Sequence, residues 1–141
     1  MSEQSERVAT EVAVLEANRD FYQAFSDGDF DAMSRLWAER APVACMHPGV
    51  PVIVGRARVL ASWKGILGDA TDWEMSCRGA RAHVLGETAF VTCFEASGDK
   101  PAHLAATNVF VLEDGHWRMV HHQAGLLSEP IPTSASPDAS N

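Results

Sequence analysis

The stretch ATNVFVLEDGHWRMVHHQ, Ala106 to Gln123, decides what kind of domain this chain forms. Two runs of alternating apolar and polar residues flank Asp114-Gly115, a dipeptide that readily supplies the positive φ angles of a two-residue hairpin turn. Such a turn sets Glu113 opposite His116, Leu112 opposite Trp117, Phe110 opposite Met119 and Asn108 opposite His121. One face of the ribbon then carries Asn108, Phe110, Leu112, Trp117, Met119, His121 and Gln123. The other carries Thr107, Val109, Val111, Arg118, Val120 and His122, because successive strand side chains point to opposite faces. The first face is the better pocket wall, so His121 is read as inward. A three-residue loop with a bulge would reverse the parity and set Asn108 opposite Val120.

Working back from this hairpin, WEMSCR, ARAHVL, TAFVTCFE and LAATNVFVL also read as strands, separated by turn signals at Gly79, at Gly86-Glu87 and in SGDKP. The region before Asp72 is helical in pattern. Val8, Val12, Leu15, Tyr22 and Phe25 recur at three- and four-residue steps from about Glu6 to Ser26, and Gly28 ends that helix. Asn18 falls on the same stripe. Asp29 is a plausible N-cap for a second helix with Phe30, Met33, Leu36 and Trp37, before Pro42. PVACM and VPVIV read as short strands around HPG. A third helix runs from Arg56 to Leu67 and is closed by Gly68. Helices first and a meander last describe an α+β domain with an antiparallel sheet curled over the helices.

The chain has 141 residues, a formal charge of −8, 46% hydrophobic and 21% charged residues. One domain is expected over residues 1–128, followed by a Pro/Ser-rich tail, 129–141, read as disordered. The negative charge and the lack of a basic run oppose nucleic-acid and anionic-membrane binding. No apolar run approaches a membrane span and the N-terminus has no signal-peptide pattern, so a cytoplasmic location is the expectation. Cys45, Cys77 and Cys93 each sit in an apolar, strand-like setting and read as buried reduced thiols. No HxH, HExxH or CxxC spacing offers a metal site, and no glycine-rich nucleotide loop is present, so neither metal nor cofactor is expected.

The stretches ANRDFYQAFSDGDFDAMSRLWA, PVACMHPGVPVIVGRARVLASW, AFVTCFE and ATNVFVLEDGHWRMVHHQAG, in this order, resemble the SnoaL-like branch of the nuclear transport factor 2-like superfamily. The resemblance covers about Val8 to Leu126. It implies a cystatin-like, cone-shaped roll, N-terminal helices packed on a curved, mostly antiparallel sheet. That fold hosts ketosteroid isomerases, polyketide cyclases, dehydratases and pure binding or dimerisation modules, so it does not settle function. Where ketosteroid isomerase-like members place a carboxylate base before a proline, this chain has His47 before Pro48. Their phenol donor aligns with Phe21, with Tyr22 adjacent. Their second carboxyl donor falls near Thr107 or Asn108. The second histidine common in SnoaL-like members falls at Gln123.

The candidate catalytic residues are therefore His47, Glu95 and His121, with Tyr22, Trp63, Asn108, Phe110, Trp117 and Gln123 as candidate substrate contacts. A histidine near a carboxylate can act as a general base near neutral pH. Each residue has a plainer reading. His47 before Pro-Gly fits a loop cap, Glu95 at its strand end either faces inward or reaches solvent, and the tryptophans fit core walls. The resemblance implies a cofactor-free, homodimeric protein with a small-molecule pocket. Its chemistry would be isomerisation, cyclisation or dehydration of a small apolar carbonyl or polyketide-like compound. The alternative is a non-catalytic ligand-binding or dimerisation module.

Overall fold

The computed structural model describes residues 2–69 and 74–132. Its elements run α1 (Glu3–Asp27), α2 (Phe30–Leu36), β1 (Ala44–Met46), β2 (Ile53–Val54), α3 (Arg56–Asp69), β3 (Met75–Leu85), β4 (Thr88–Ser97), β5 (Ala102–Glu113) and β6 (His116–Ile131). The strands form one six-stranded sheet in the order β2-β1-β6-β5-β4-β3, antiparallel except where β1 runs parallel to β6. The α+β roll expected from the sequence is the fold. Among the described residues no helix is long and apolar enough to cross a membrane.

Local chemistry sets the helix ends. Ser2 caps α1 by accepting from the Ser5 amide, and Gly28 ends it in the left-handed conformation at φ 66°. Asp29 caps α2 through the Ala32 amide at 3.0 Å. Arg56 then ties the start of α3 to the end of α2, donating to the Ser34 and Ala38 carbonyls. The buried stripe of α1 is Val14, Ala17, Asn18, Phe21, Tyr22, Ala24 and Phe25. Val8 and Val12, expected on it, are 53% and 50% exposed, so the buried stripe begins only at Val14. Residues α1 and α3 contribute to one core include Phe21 and Trp63, which meet edge to face at 5.3 Å under Trp37, Met33, Phe110 and Met119.

Three boundaries differ from expectation. Gly79 is a bulge and not a turn: it takes φ 65°, and β3 continues through it as one strand, with Gly79 and Ala80 together facing Cys93. Gly68 does not close α3, which runs to Asp69. β6 continues to Ile131, past the expected end of the domain at 128, and the rest of the tail, 133–141, lies outside the described residues.

The β5–β6 turn is the two-residue one. Asp114 and Gly115 take φ 53° and 79°, and pairing proceeds from Glu113↔His116 to Phe110↔Met119. Val120 is then skipped, so that Val109 pairs with His121 and Asn108 with His122. This bulge exchanges the two histidines. His122 is buried on the helix side at 2% exposure, whereas His121 lies on the outer side, its Nδ1 3.0 Å from the Ala44 carbonyl oxygen. Gln123, beyond the bulge, is exposed on the outer side opposite Thr107.

Candidate functional site

Alternation along β4 carries Ala89, Val91, Cys93 and Glu95 to the inner face, and Glu95 is 2% exposed. Four-residue spacing on α1 brings Asn18 and Tyr22 over it. Tyr22 Oη donates to Glu95 Oε2 at 2.6 Å and lies 3.3 Å from Cys93 Sγ. Asn108, fully buried on β5, donates through Nδ2 both to Tyr22 Oη at 3.2 Å and to Asn18 Oδ1 at 2.8 Å. Its Oδ1 accepts from His122 Nδ1 at 2.6 Å.

These partners fix the protons. With both Nδ2 protons of Asn108 committed, its Oδ1 can only accept, so His122 carries its proton on Nδ1 and leaves a lone pair on Nε2. Donation then runs one way, from His122 through Asn108 and Tyr22 to Glu95. His122 Nε2 stands 3.9 Å from Glu95 Oε2, so the four residues form a ring with one open link.

Burial governs the charge states. It holds His122 down to about 3, helped by repulsion from His47 and His121. It pushes the Glu95 carboxyl above its ordinary value, a rise the Tyr22 hydrogen bond opposes. It also lifts the Tyr22 phenol, as do Cys93 and Glu95 beside it. Both ends of the open link are thus biased to their neutral forms, and a neutral carboxyl facing a neutral imidazole describes the contact better than an ion pair.

His47 is half-buried and stands beside both Trp63 and His122. Its ring meets Trp63 edge to face at 4.9 Å and is 6.4 Å from the His122 ring. Its Nε2 is 3.0 Å from Ser62 Oγ, which donates to the Val59 carbonyl, so the His47 Nε2 proton points at the hydroxyl. Burial lowers the His47 pKa. Trp63 Nε1, beside both histidines, is buried without a hydrogen-bond partner among the described residues.

Of the residues selected from the sequence, the structure thus gathers Tyr22, Glu95 and Asn108, with Trp63 and Phe110 fully buried beside them in the core. His47 stands at the edge of the group, against Trp63 and 6.4 Å from the His122 ring, and makes no hydrogen bond to its members among the described residues. His121 and Gln123 lie on the opposite face of the sheet, displaced by the Val120 bulge, and Trp117 lies half-buried at the hairpin end opposite Leu112. Sequence reasoning missed His122, whereas Asn18, placed on the stripe of α1, is buried there with two hydrogen bonds.

Two recesses touch this network. A cleft of about 410 Å³ between α1 and β3 is lined by Asn18, Tyr22 and Cys77 with Leu15, Met75 and Ala80 among its walls. A recess of about 180 Å³ is lined by Met75, Glu95, Ala96, Ser97, His103 and Leu104. Met75 borders both.

The chain is 33% identical to a candidate dehydratase of the NTF2-like family from Streptomyces avermitilis. The two superpose with a TM-score of 0.78 over 87% of this chain and 99% of that one. It is also 33% identical to a candidate calcium/calmodulin-dependent protein kinase type II association domain from Thiobacillus denitrificans, with a TM-score of 0.68 over 79% and 93% of the two chains. Among curated proteins it is 28% identical over 122 residues to the F-box protein SKIP8 of Arabidopsis thaliana, covering 86% of this chain but only 53% of that protein. The SnoaL-like domain model matches residues 14–129, and the chain belongs to that family.

Proposed function

We propose that this SnoaL-like domain binds a small, neutral, apolar carbonyl or polyketide-like compound and performs cofactor-free proton transfer on it, as isomerisation, cyclisation or dehydration. The observation that carries this reading is the open link of 3.9 Å between His122 Nε2 and Glu95 Oε2. A neutral imidazole with a free lone pair is a proton acceptor, one that burial keeps weak, and a carboxyl held toward its neutral form is a proton donor. Tyr22 and Asn108 orient the two. The unpartnered Trp63 Nε1 and the recess at Glu95 are further support, since a ligand oxygen satisfies such a donor and an apolar body suits such walls. In dehydration, His122 Nε2 takes the proton next to the carbonyl while Glu95 protonates the departing hydroxyl. The kinship with the candidate dehydratase from Streptomyces avermitilis agrees with that chemistry.

The test is exchange of carbonyl-adjacent protons into heavy water, followed by NMR with a panel of neutral cyclic ketones and β-hydroxyketones. Accelerated exchange by the wild type, lost in His122→Gln and reduced in Glu95→Gln, is expected. Binding without exchange would leave a ligand-binding module, and neither binding nor exchange would leave an association module.

The association reading has its own support in the filled core, where Phe21, Trp63 and Phe110 are at most 1% exposed. In it the outer sheet face, with half-buried Val109, Val111 and Val120, forms a homodimer contact. Light scattering that gives a monomer mass at high micromolar concentration counts against the dimer.

A further inference from the structure

Cys77 and Cys93 take no part in the proton relay, yet both border it. They face the same side of neighbouring strands, at the place where the Gly79–Ala80 bulge sets two residues of β3 against Cys93. Each thiol lies near enough to the other to shift its titration. Cys77 Sγ also accepts from Asn18 Nδ2 at 3.5 Å, and Cys93 Sγ lies 3.3 Å from Tyr22 Oη. Cys77 is half-buried and lines the α1–β3 cleft, whereas Cys93 is 4% exposed.

The two sulfurs are therefore unequal. Donors aimed at Cys77, first Cys93 and also Asn18, lower its pKa against the opposing effect of burial. The Cys77 thiol beside it, and burial, raise that of Cys93. An accessible sulfur with thiolate character beside a second, protonated thiol is the arrangement that reacts with peroxide and then resolves.

We propose that Cys77 and Cys93 are a hydroperoxide-sensitive dithiol at the base of the α1–β3 cleft, with Cys77 the attacking sulfur and Cys93 the resolving one. In the first step the Cys77 thiolate attacks one peroxide oxygen and the O–O bond breaks. The leaving hydroxide takes up the proton that Cys77 released, giving water and a Cys77 sulfenic acid. In the second step Cys93 loses its proton and attacks the Cys77 sulfur, forming the S–S bond and breaking S–O. The departing hydroxide leaves as a second water. Two thiols and one hydrogen peroxide become one disulfide and two waters, the sulfurs together losing the two electrons that the peroxide gains. The glycine of the bulge gives β3 the backbone freedom to bring the sulfurs to bonding distance. The bridge removes the thiol proton beside Tyr22 and changes the acceptor of Asn18, so oxidation acts on Tyr22 of the ring and on Asn18, which holds Asn108. The chemistry of the dithiol does not depend on that ring being catalytic.

The experiment treats fully reduced wild-type protein with hydrogen peroxide and maps the products by peptide mass spectrometry without reductant. A Cys77–Cys93 linked peptide is expected, with loss of two of the three thiols, retention of Cys45 and full reversal by dithiothreitol. In Cys93→Ser the sulfenic acid at Cys77 becomes trappable by a 1,3-dione, and in Cys77→Ser thiol loss slows about tenfold or more. Circular dichroism checks that the variants fold; the wild-type linkage does not depend on them. Oxidation of Cys45 first, sulfinic acid with no linked peptide, or equal rates in wild type and Cys77→Ser would each overturn the proposal.

Discussion

Asn108 holds His122 in one tautomer: its Oδ1 sits 2.6 Å from His122 Nδ1 while its Nδ2 serves Asn18 and Tyr22. One amide thus joins a helix to the two central strands of the sheet. All four side chains are at most 4% exposed, so none can turn to water if the amide is removed.

Asn108→Leu is therefore expected to destabilise the fold by about 3 kcal/mol, since it strands a donor on His122 and an acceptor on Asn18 in a low-dielectric interior. Urea unfolding followed by tryptophan fluorescence measures it. A cost below about 1 kcal/mol would mean that the network is not a stabilising element.

The His122 ring gives a signed pH dependence. Its folded pKa, about 3, lies below the ordinary 6.5, so below pH 6.5 the unfolded chain takes up a proton that the folded chain refuses. The stability from this residue is present above pH 6.5 and is lost as pH falls toward 3, on the order of 4 kcal/mol over the whole interval. His122→Gln should flatten the acid limb of the stability profile, and NMR should find the wild-type ring neutral at pH 5.

Glu95 acts in the opposite direction. Its folded pKa is raised, so its contribution is full below the ordinary 4.5 and is lost as pH rises through the folded value. Glu95→Gln keeps an acceptor for Tyr22 without an ionisation, and should stabilise the protein at pH 7. The gain should vanish near pH 4. Thermal melts of both proteins across that range decide it, and a variant less stable than wild type at pH 7 would contradict the assignment of a carboxyl strained by burial.

Deletion of Val120 is expected to be tolerated. Without it, Phe110↔Met119 passes directly to Val109↔His121 and Asn108↔His122, the pairs already present, so every later side chain keeps its face. The expected cost, about 1–2 kcal/mol, is the lost packing of a half-buried valine. Retention of the His122–Asn108 hydrogen bond, read from the imidazole Nδ1 proton by NMR, checks it.

The bulge also marks where the sequence stopped being legible. The Asp114-Gly115 turn, the caps at Gly28 and Asp29 and the inward Asn18, Tyr22 and Phe25 of α1 follow from local chemistry, and they suffice for the roll. Nothing local announces an extra residue between Met119 and His121. Its cause lies on the other edge of β6, where Met119 meets Trp37 and accepts from the Ala38 amide at 2.9 Å, whereas His121 pairs with Ala44 of β1. That edge passes from a loop to a strand, and residues far apart in sequence set the offset. The same non-locality hid the roles of the site histidines. His47 was legible as a loop residue, but Ser62, its partner, comes from α3. Gly79 was misread because a glycine at positive φ serves a bulge as well as a turn.

The parallel pairing of β1 with β6 orders events during synthesis. Ala44 needs His121, and Asn18 needs Asn108, so elements made early wait for strands made late. At about 5–20 residues per second, roughly 100 residues separate the emergence of the Phe21 stripe from that of His122, an interval on the order of ten seconds. β3 and β4 arrive earlier and cover part of the aromatic face of α1, whereas the edge of Phe21 that meets His122 stays open to the last. A ribosome-bound chain stopped before His122 would thus display that edge to any holdase nearby, and release of the holdase would report the arrival of β6.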